Sequence, residues 1–192
     1  MATDIDINRI QKDMFIEHKG EPYRVLDYEH VKPGKGQAFV RIKAKNMLTG
    51  NVTEITYKSS DRITLADFEQ VFSTYSYNDG ENYYFMNTQT YDMVAVPKEK
   101  IEDEIKFLKE GLEVIVFFYK NQPIGIELPN HVELEVVETE PAFKGDTQAG
   151  GTKPAKLETG AVIQVPFFVK EGDIVKIDTR TGTYIERVKE SK

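Results

Sequence analysis

The run Tyr23-Arg24-Val25-Leu26-Asp27-Tyr28-Glu29-His30-Val31, then Lys32-Pro33-Gly34-Lys35-Gly36, then Gln37-Ala38-Phe39-Val40-Arg41-Ile42-Lys43-Ala44-Lys45, reads as two strands joined at a lysine-bearing tip. In the second arm Ala38, Val40, Ile42 and Ala44 fall on one face and Gln37, Phe39, Arg41 and Lys43 on the other, the period of two expected of a half-buried strand. Pro33 sets the first corner of a turn and Gly34 is suited to the positive φ that a type II turn needs next, so Lys35 is expected to point outward. At about 3.3 Å per residue, arms of eight or nine residues would carry that lysine roughly 25 to 30 Å from the base of the hairpin. Between Arg24 and Lys45 the basic residues are Arg24, Lys32, Lys35, Arg41, Lys43 and Lys45, opposed by Asp27 and Glu29, in a chain of net charge -7. Arg41, Lys43 and Lys45 share the parity of Lys35, so one side of the finger could face several phosphates in a row. Edge lysines also serve simply to keep a strand soluble, but two glycines around a single lysine strip its surroundings and suit a close approach by a partner.

Outward from the finger the chain reads as strands and turns. Up to about Leu65, Lys19-Gly20-Glu21-Pro22 and Leu48-Thr49-Gly50-Asn51 punctuate strand-rich sequence, and Val52 to Lys58 alternates, which together suggest a small β-barrel. A second block follows the link Asp61 to Asp67: Ser73 to Tyr77 meets Tyr83 to Met86 across Asn78-Asp79-Gly80, a hairpin signal. Its aromatics, Tyr75, Tyr77, Tyr83, Tyr84, Phe85 and Tyr91, suit cross-strand core pairs, with base stacking as the alternative. Pro97 to Glu110 is predicted as a helix, with Pro97 in the first turn, an Ile101, Ile105, Leu108 stripe and Gly111 as C-cap. A barrel with a helix between its middle strands fits the oligonucleotide-binding architecture. After Pro129-Asn130 comes a strand from Val132 to Val137, a loop from Glu140 to Lys156, strands over Gly160 to Val169 and Asp173 to Asp178, and a hairpin at Thr179 to Thr183.

Composition narrows the function. The chain has 192 residues, is 40% hydrophobic and contains no cysteine, so disulfides and thiolate metal sites are excluded. Met1 to Lys12 lacks the apolar core of a signal peptide, and the longest apolar run, Val114 to Tyr119, is far short of the ~20 residues of a membrane span; a cytoplasmic protein without membrane association is expected. Acidic charge opposes indiscriminate nucleic-acid binding, so any such contact must be local. His18, His30 and His131 lie in different blocks without metal-like spacing, and the phosphate-binding glycine motifs are absent. No metal, cofactor or catalytic residue is expected, and the chain is not read as an enzyme. In the loop Gly145-Asp146-Thr147, Asp and Thr could meet a base edge or simply close a turn.

The residues Val31 to Arg41, with Leu48-Thr49-Gly50, Tyr77-Asn78-Asp79-Gly80, Pro129-Asn130, Gly145-Asp146-Thr147, Thr159 to Pro166, Gly172-Asp173 and Asp178 to Gly182, resemble the bacterial elongation factor P family in order across essentially the whole chain. The resemblance implies an all-β protein of three small barrels: a KOW or SH3-like barrel over 1–65, then oligonucleotide-binding folds over 66–129 and 130–192, arranged as an L of tRNA-like shape with one helix in the middle domain. It implies a monomeric translation elongation factor that binds the 70S ribosome between the peptidyl and exit sites and relieves stalling at consecutive prolines. Lys32, Pro33, Gly34, Lys35 and Gly36 would meet the CCA end of peptidyl-tRNA, with Lys35 the target of a lysine-modifying enzyme that adds a β-lysyl or aminopentanol chain. Arg41, Lys43 and Lys45 would face phosphates, Gly145, Asp146 and Thr147 the mRNA codon in the exit site, and Arg180, Tyr184 and Arg187 the ribosome. A paralogue with another tip partner, or a free single-strand-binding module, is the alternative.

Overall fold

The computed structural model describes residues 3–141 and 150–192. The first sheet contains β1 (Thr3–Asp6), β2 (Phe15–His18), β3 (Glu21–Val31), β4 (Phe39–Asn46), β5 (Val52–Lys58) and β6 (Arg62–Leu65), in the order β1-β6-β2-β3-β4-β5. The alternation of β4 is realised: Val40, Ile42 and Ala44 are buried while Arg41 and Lys43 are exposed. Those three pack with Ile7, Ile10, Ile16, Val25, Ile55 and Ile63 into one core, an all-aliphatic cluster whose burial drives closure of the sheet. Asn46, itself buried, ends β4 by accepting from the amides of Leu48 and Thr49 at 2.8 and 3.1 Å, while Gly50 takes φ +80 to turn the chain into β5. Leu48-Thr49-Gly50 is thus the turn chemistry of this barrel.

The central sheet has the order β11-β10-β7-β8-β9, from β7 (Glu69–Asn78), β8 (Asn82–Asn87), β9 (Met93–Pro97), β10 (Glu113–Tyr119) and β11 (Gln122–Glu127). Asn78-Asp79-Gly80 forms the predicted hairpin turn: the Asp79 carboxylate accepts from the amides of Glu81 and Asn82, and Gly80 sits at φ +94. The aromatics divide between faces. Tyr75, Tyr83 and Phe85 are buried, whereas Tyr77 and Tyr84 stack on the outer face with centroids 4.5 Å apart.

The predicted helix is much shorter than Pro97 to Glu110. Lys98–Lys100 makes one 3-10 turn and only Glu102–Ile105, α1, is α-helical. Its N-cap is Ile101, which offers no side-chain acceptor, so the orphan amides of the first turn gain no cap. Downstream, Phe107 is pulled out of any regular stripe into another core, described below. Three carboxylates in the first turn, Glu102, Asp103 and Glu104, suit the helix dipole but do not extend the helix.

The third sheet runs β14-β13-β12-β15-β16, with β12 (His131–Thr139), β13 (Thr152–Leu157), β14 (Val162–Pro166), β15 (Ile174–Asp178) and β16 (Thr183–Lys189). Sequence reading assigned β13 to a loop. Its inward positions are Lys153, Ala155 and Leu157, and a lysine in the apolar phase together with Pro154 hides the period. Lys153 is buried, its ammonium donates to the carbonyl of Glu140, and burial pushes its pKa down. Pro154 is tolerated because β12 ends its pairing at Thr139, opposite Ala155, so no β12 acceptor goes without its donor there.

By packing density the residues gather into two compact units, 1–71 with 96–100 and 116–125, and 72–95 with 101–115 and 126–192. Within the first, the Phe15 ring lies 4.3 Å from Phe68 and 5.0 Å from Phe117, and the Tyr119 hydroxyl donates to Glu17 at 3.0 Å. Burial, then this hydrogen bond to a carboxylate, raises the Tyr119 pKa. Tyr119→Phe is expected to cost about 1–3 kcal/mol, because a half-buried carboxylate loses its donor; a urea midpoint within error of wild type would show that water replaces the hydroxyl without loss. Within the second unit, Phe107 is buried among Val132, Leu134, Val136, Leu157, Val165, Val175 and Ile177.

Candidate functional site

β3 and β4 pair from Tyr23 opposite Asn46 to Val31 opposite Phe39, with a bulge between Val25 and Asp27. Beyond that last pair, residues 32–38 leave the sheet, and Lys32 to Gln37 are all exposed. The finger is not a free two-stranded arm, since β5 pairs with β4 along its length from Lys45 opposite Val52 to Phe39 opposite Lys58. The projection is therefore this short tip on a three-stranded base. The base is braced on its far side, where the Ser59 amide donates to the Ala38 carbonyl at 3.0 Å and the Asn8 side chain holds the Ser59 carbonyl at 2.8 Å.

The tip conformation departs from the expected type II turn. Gly36, not Gly34, adopts positive φ, at +104; a tip longer than a two-residue turn reverses later, at the second glycine. The two glycines consequently do different jobs. A Cβ at Gly34 would meet nothing within 4 Å and its φ is ordinary, so the fold does not require glycine there. Gly36 needs it for its backbone. Gly34→Ala is expected to leave the thermal midpoint of the barrel unchanged and Gly36→Ala to lower it by about 4–8 °C, the effect of about 1 kcal/mol in a domain of this size; equal losses in calorimetry would contradict this division.

Lys35 carries no ion pair with any described residue. The basic row behind it is tempered. Arg41 reaches Glu29 at 3.7 Å and lies over the Phe39 ring at 5.7 Å, and Lys43 stands in register between Asp27 and Glu54. Lys45 is half-buried opposite Arg24. Net positive charge is concentrated at Lys32 and Lys35, ahead of the carboxylates.

The remaining sequence-predicted residues lie elsewhere. Gly145, Asp146 and Thr147 lie outside the described residues. Arg180 is held by Asp178 in the β15–β16 turn, donating from Nε and Nη2 to its two carboxylate oxygens at 3.2 and 3.0 Å. Arg187 pairs with Asp173 at 3.5 Å and Glu190 at 3.6 Å and stacks over Phe168, and half-buried Tyr184 packs against the third core. Arg180 is exposed on its turn, whereas Tyr184 and Arg187 are half-buried, and both arginines are engaged with carboxylates of the same barrel. Sequence reading missed the bracing residues Asn8 and Ser59, which no motif marks because they act through backbone carbonyls. Among the described residues there is no group of three or more potential metal ligands and no helix long and apolar enough to cross a membrane.

Three family models cover nearly all of this architecture: Elongation factor P (EF-P) KOW-like domain over residues 6–63, Elongation factor P (EF-P) OB domain over 65–126, and Elongation factor P, C-terminal over 132–187. The chain belongs to the elongation factor P family. It is 89% identical over 192 residues to elongation factor P of Aquifex aeolicus, covering all of both chains, and 65% identical over 190 residues to that of Persephonella marina, covering 99% of this chain and 100% of the relative. A solved structure titled eukaryotic translation initiation factor 5A from Methanococcus jannaschii superposes with a TM-score of 0.51 at 19% identity, over 67% of this chain and 92% of that one, a likeness of fold. The family makes the protein a translation elongation factor, and the lysine tip falls within the residues that match its KOW-like domain.

Proposed function

We propose that the protein binds the ribosome between the peptidyl and exit sites and promotes peptide-bond formation where synthesis stalls on consecutive prolines, by steadying the CCA end of peptidyl-tRNA. The observation that carries this reading is the tip itself: an exposed lysine without a partner among the described residues, on a glycine-lined loop anchored to a braced three-stranded base. An unpaired ammonium at the end of a narrow projection costs nothing in the free protein and becomes favourable when phosphates surround it. Gly34 fits the same picture, since the fold leaves space there that a partner backbone can use. Lys32 adds a second charge, and Pro33 limits the entropy the loop loses on docking.

The contribution to the reaction is positional. Proline is a poor nucleophile, and holding the acceptor end of the tRNA in a reactive geometry lowers the entropic part of the barrier to peptide-bond formation without any proton transfer by the factor. A β-lysyl or aminopentanol chain added to Lys35 by a modifying enzyme would lengthen the reach and keep the charge. Arg41, Lys43 and Lys45 make weaker phosphate contacts because Glu29, Asp27 and Glu54 accompany them. Gly145, Asp146 and Thr147 are assigned to the mRNA codon, and Arg180, Tyr184 and Arg187 to ribosome contacts that would draw on groups already engaged in the barrel. The modules follow the partition 1–65, 66–129 and 130–192, which family models spanning 6–63, 65–126 and 132–187 support. The protein acts as a monomer in the cytoplasm, without a cofactor.

The test is translation of a message with a run of proline codons in a reconstituted system. Lys35→Ala is expected to lower the rate of the stalled step by about tenfold or more, equivalent to at least 1.4 kcal/mol of transition-state stabilisation, with the melting temperature unchanged. A Lys35→Ala protein as active as wild type would overturn the reading.

A further inference from the structure

The outer face of β7 and β8 carries an aromatic ridge that the tip-centred function does not use. Inward positions are taken by Ser73, Tyr75, Tyr83 and Phe85, all buried. The outward set is Phe72 and Thr74 before the bulge between Tyr75 and Tyr77 and Tyr77 after it on β7, with Met86 and Tyr84 on β8, where Thr74 faces Met86 and Tyr77 faces Tyr84. Phe72 is 65% exposed and Tyr77 54% exposed. Tyr77 and Tyr84 are already organised for contact: their rings stack at 4.5 Å and 14°, and the Tyr84 hydroxyl is fixed by the Asp79 carboxylate at 2.9 Å. Preordered aromatic faces of this kind hold a planar or cationic group at small entropic cost.

Charge selects the partner. Residues 66–129 hold 12 carboxylates against 5 basic side chains, a balance of -7 that equals the net charge of the whole chain. The acidic groups bracket the ridge. Asp79 and Glu81 stand at the hairpin end, and Asp79 stays ionised because the Asn82 and Glu81 amides hold its carboxyl below the usual carboxylate range. At the other end Phe72 lines a groove of about 440 Å³ with Glu113, Ile115, Glu127, Leu128 and Asn130. Phosphates would be repelled along this whole face. A guanidinium or ammonium, by contrast, gains both a ring to lie over and carboxylates to neutralise it.

We propose that the Phe72, Tyr77 and Tyr84 ridge, with its flanking carboxylates, is a docking surface for a cationic, arginine- and lysine-bearing protein segment, separate from the RNA-directed tip.

The experiment uses the full chain, isotopically labelled and titrated with a short peptide of alternating arginine and glycine and, separately, with oligouridylate, followed by amide chemical shifts. The peptide is expected to shift the amides of Phe72, Thr74, Tyr77, Tyr84 and Met86, and oligouridylate to leave them in place. The double variant Phe72→Ala, Tyr77→Ala, whose side chains are exposed and whose melting temperature should match wild type, is expected to weaken peptide binding by about tenfold. Peptide binding indifferent to the double variant would mean diffuse charge attraction and overturn the assignment. Oligouridylate shifting the same amides would make the ridge a nucleic-acid surface, and concentration-dependent self-association abolished by the double variant would make it a contact between copies; either result also overturns it.

Discussion

Phe107→Ala is expected to lower the unfolding free energy by about 3–5 kcal/mol, the range for removing a fully buried aromatic ring that cannot be replaced by collapse of its surroundings. Phe107 belongs to the segment after α1 yet is 2% exposed, its ring set among the β-strand side chains of the third core. Several groups hold it there. The Thr159 hydroxyl donates to the Lys106 carbonyl at 2.5 Å, Lys109 pairs with Glu158 at 3.2 Å, and Gly182, at φ +72, lies beside the ring, where a Cβ built on it would stand 3.6 Å from the Phe107 edge. The socket is rigid β-structure, so the cavity left by alanine stays open. Phe107→Leu fills most of that volume and should recover more than half of the loss. Hydrogen exchange would localise the effect: amides from Lys106 to Leu112 and in the Asp178 to Thr183 turn should lose protection in Phe107→Ala while those of β3 and β4 do not. Uniform loss of protection through the chain would show that the ring supports the whole fold cooperatively and not this joint.

That joint also explains what was legible in the sequence and what was not. The strands of the first barrel could be read because β4 alternates cleanly and the turn that follows it uses Gly50, whose chemistry is local. Helix extent and β13 could not, because in both the deciding interaction is tertiary. Phe107 breaks a 3.6-residue stripe to enter a core built some 25 to 70 residues later in the chain, and Lys153 sits in the inward phase of β13 with its ammonium turned to Glu140. At the tip, composition revealed the exposed Lys35 but not which glycine bends the chain, since that depends on where the β3–β4 ladder stops. The basic row was legible as a charge pattern, whereas its carboxylate neighbours Glu29, Asp27 and Glu54 emerge only from register. The Asp178 to Gly182 run, read from the sequence as a hairpin, also forms the turn against which Phe107 packs, a contact that no local pattern announces.

Asp173→Asn is expected to cost about 3 kcal/mol at neutral pH, within the range for removing one partner of a buried charge network. The Asp173 side chain has no solvent exposure. Its Oδ1 accepts from the Ser191 amide at 2.7 Å, and its Oδ2 from the Lys170 amide at 2.9 Å and from Arg187 at 3.5 Å. Every neighbour is a donor, so an asparagine amide must point at least one N–H toward another N–H. Gly172 beside it is equally constrained, because a Cβ there would come within 2.8 Å of the Ser191 side chain. Burial alone would push the Asp173 carboxyl up, but the amides of Lys170 and Ser191 and the Arg187 guanidinium outweigh it and hold the pKa below its ordinary value of 3.8. A carboxylate depressed in the folded state stabilises above its unfolded pKa and loses that contribution as pH falls through the folded one. The gap in urea midpoint between wild type and Asp173→Asn should therefore be full above about pH 5 and shrink progressively below about pH 4. A gap that stayed constant down to pH 2 would mean that the charge contributes nothing and that asparagine destabilises through shape alone.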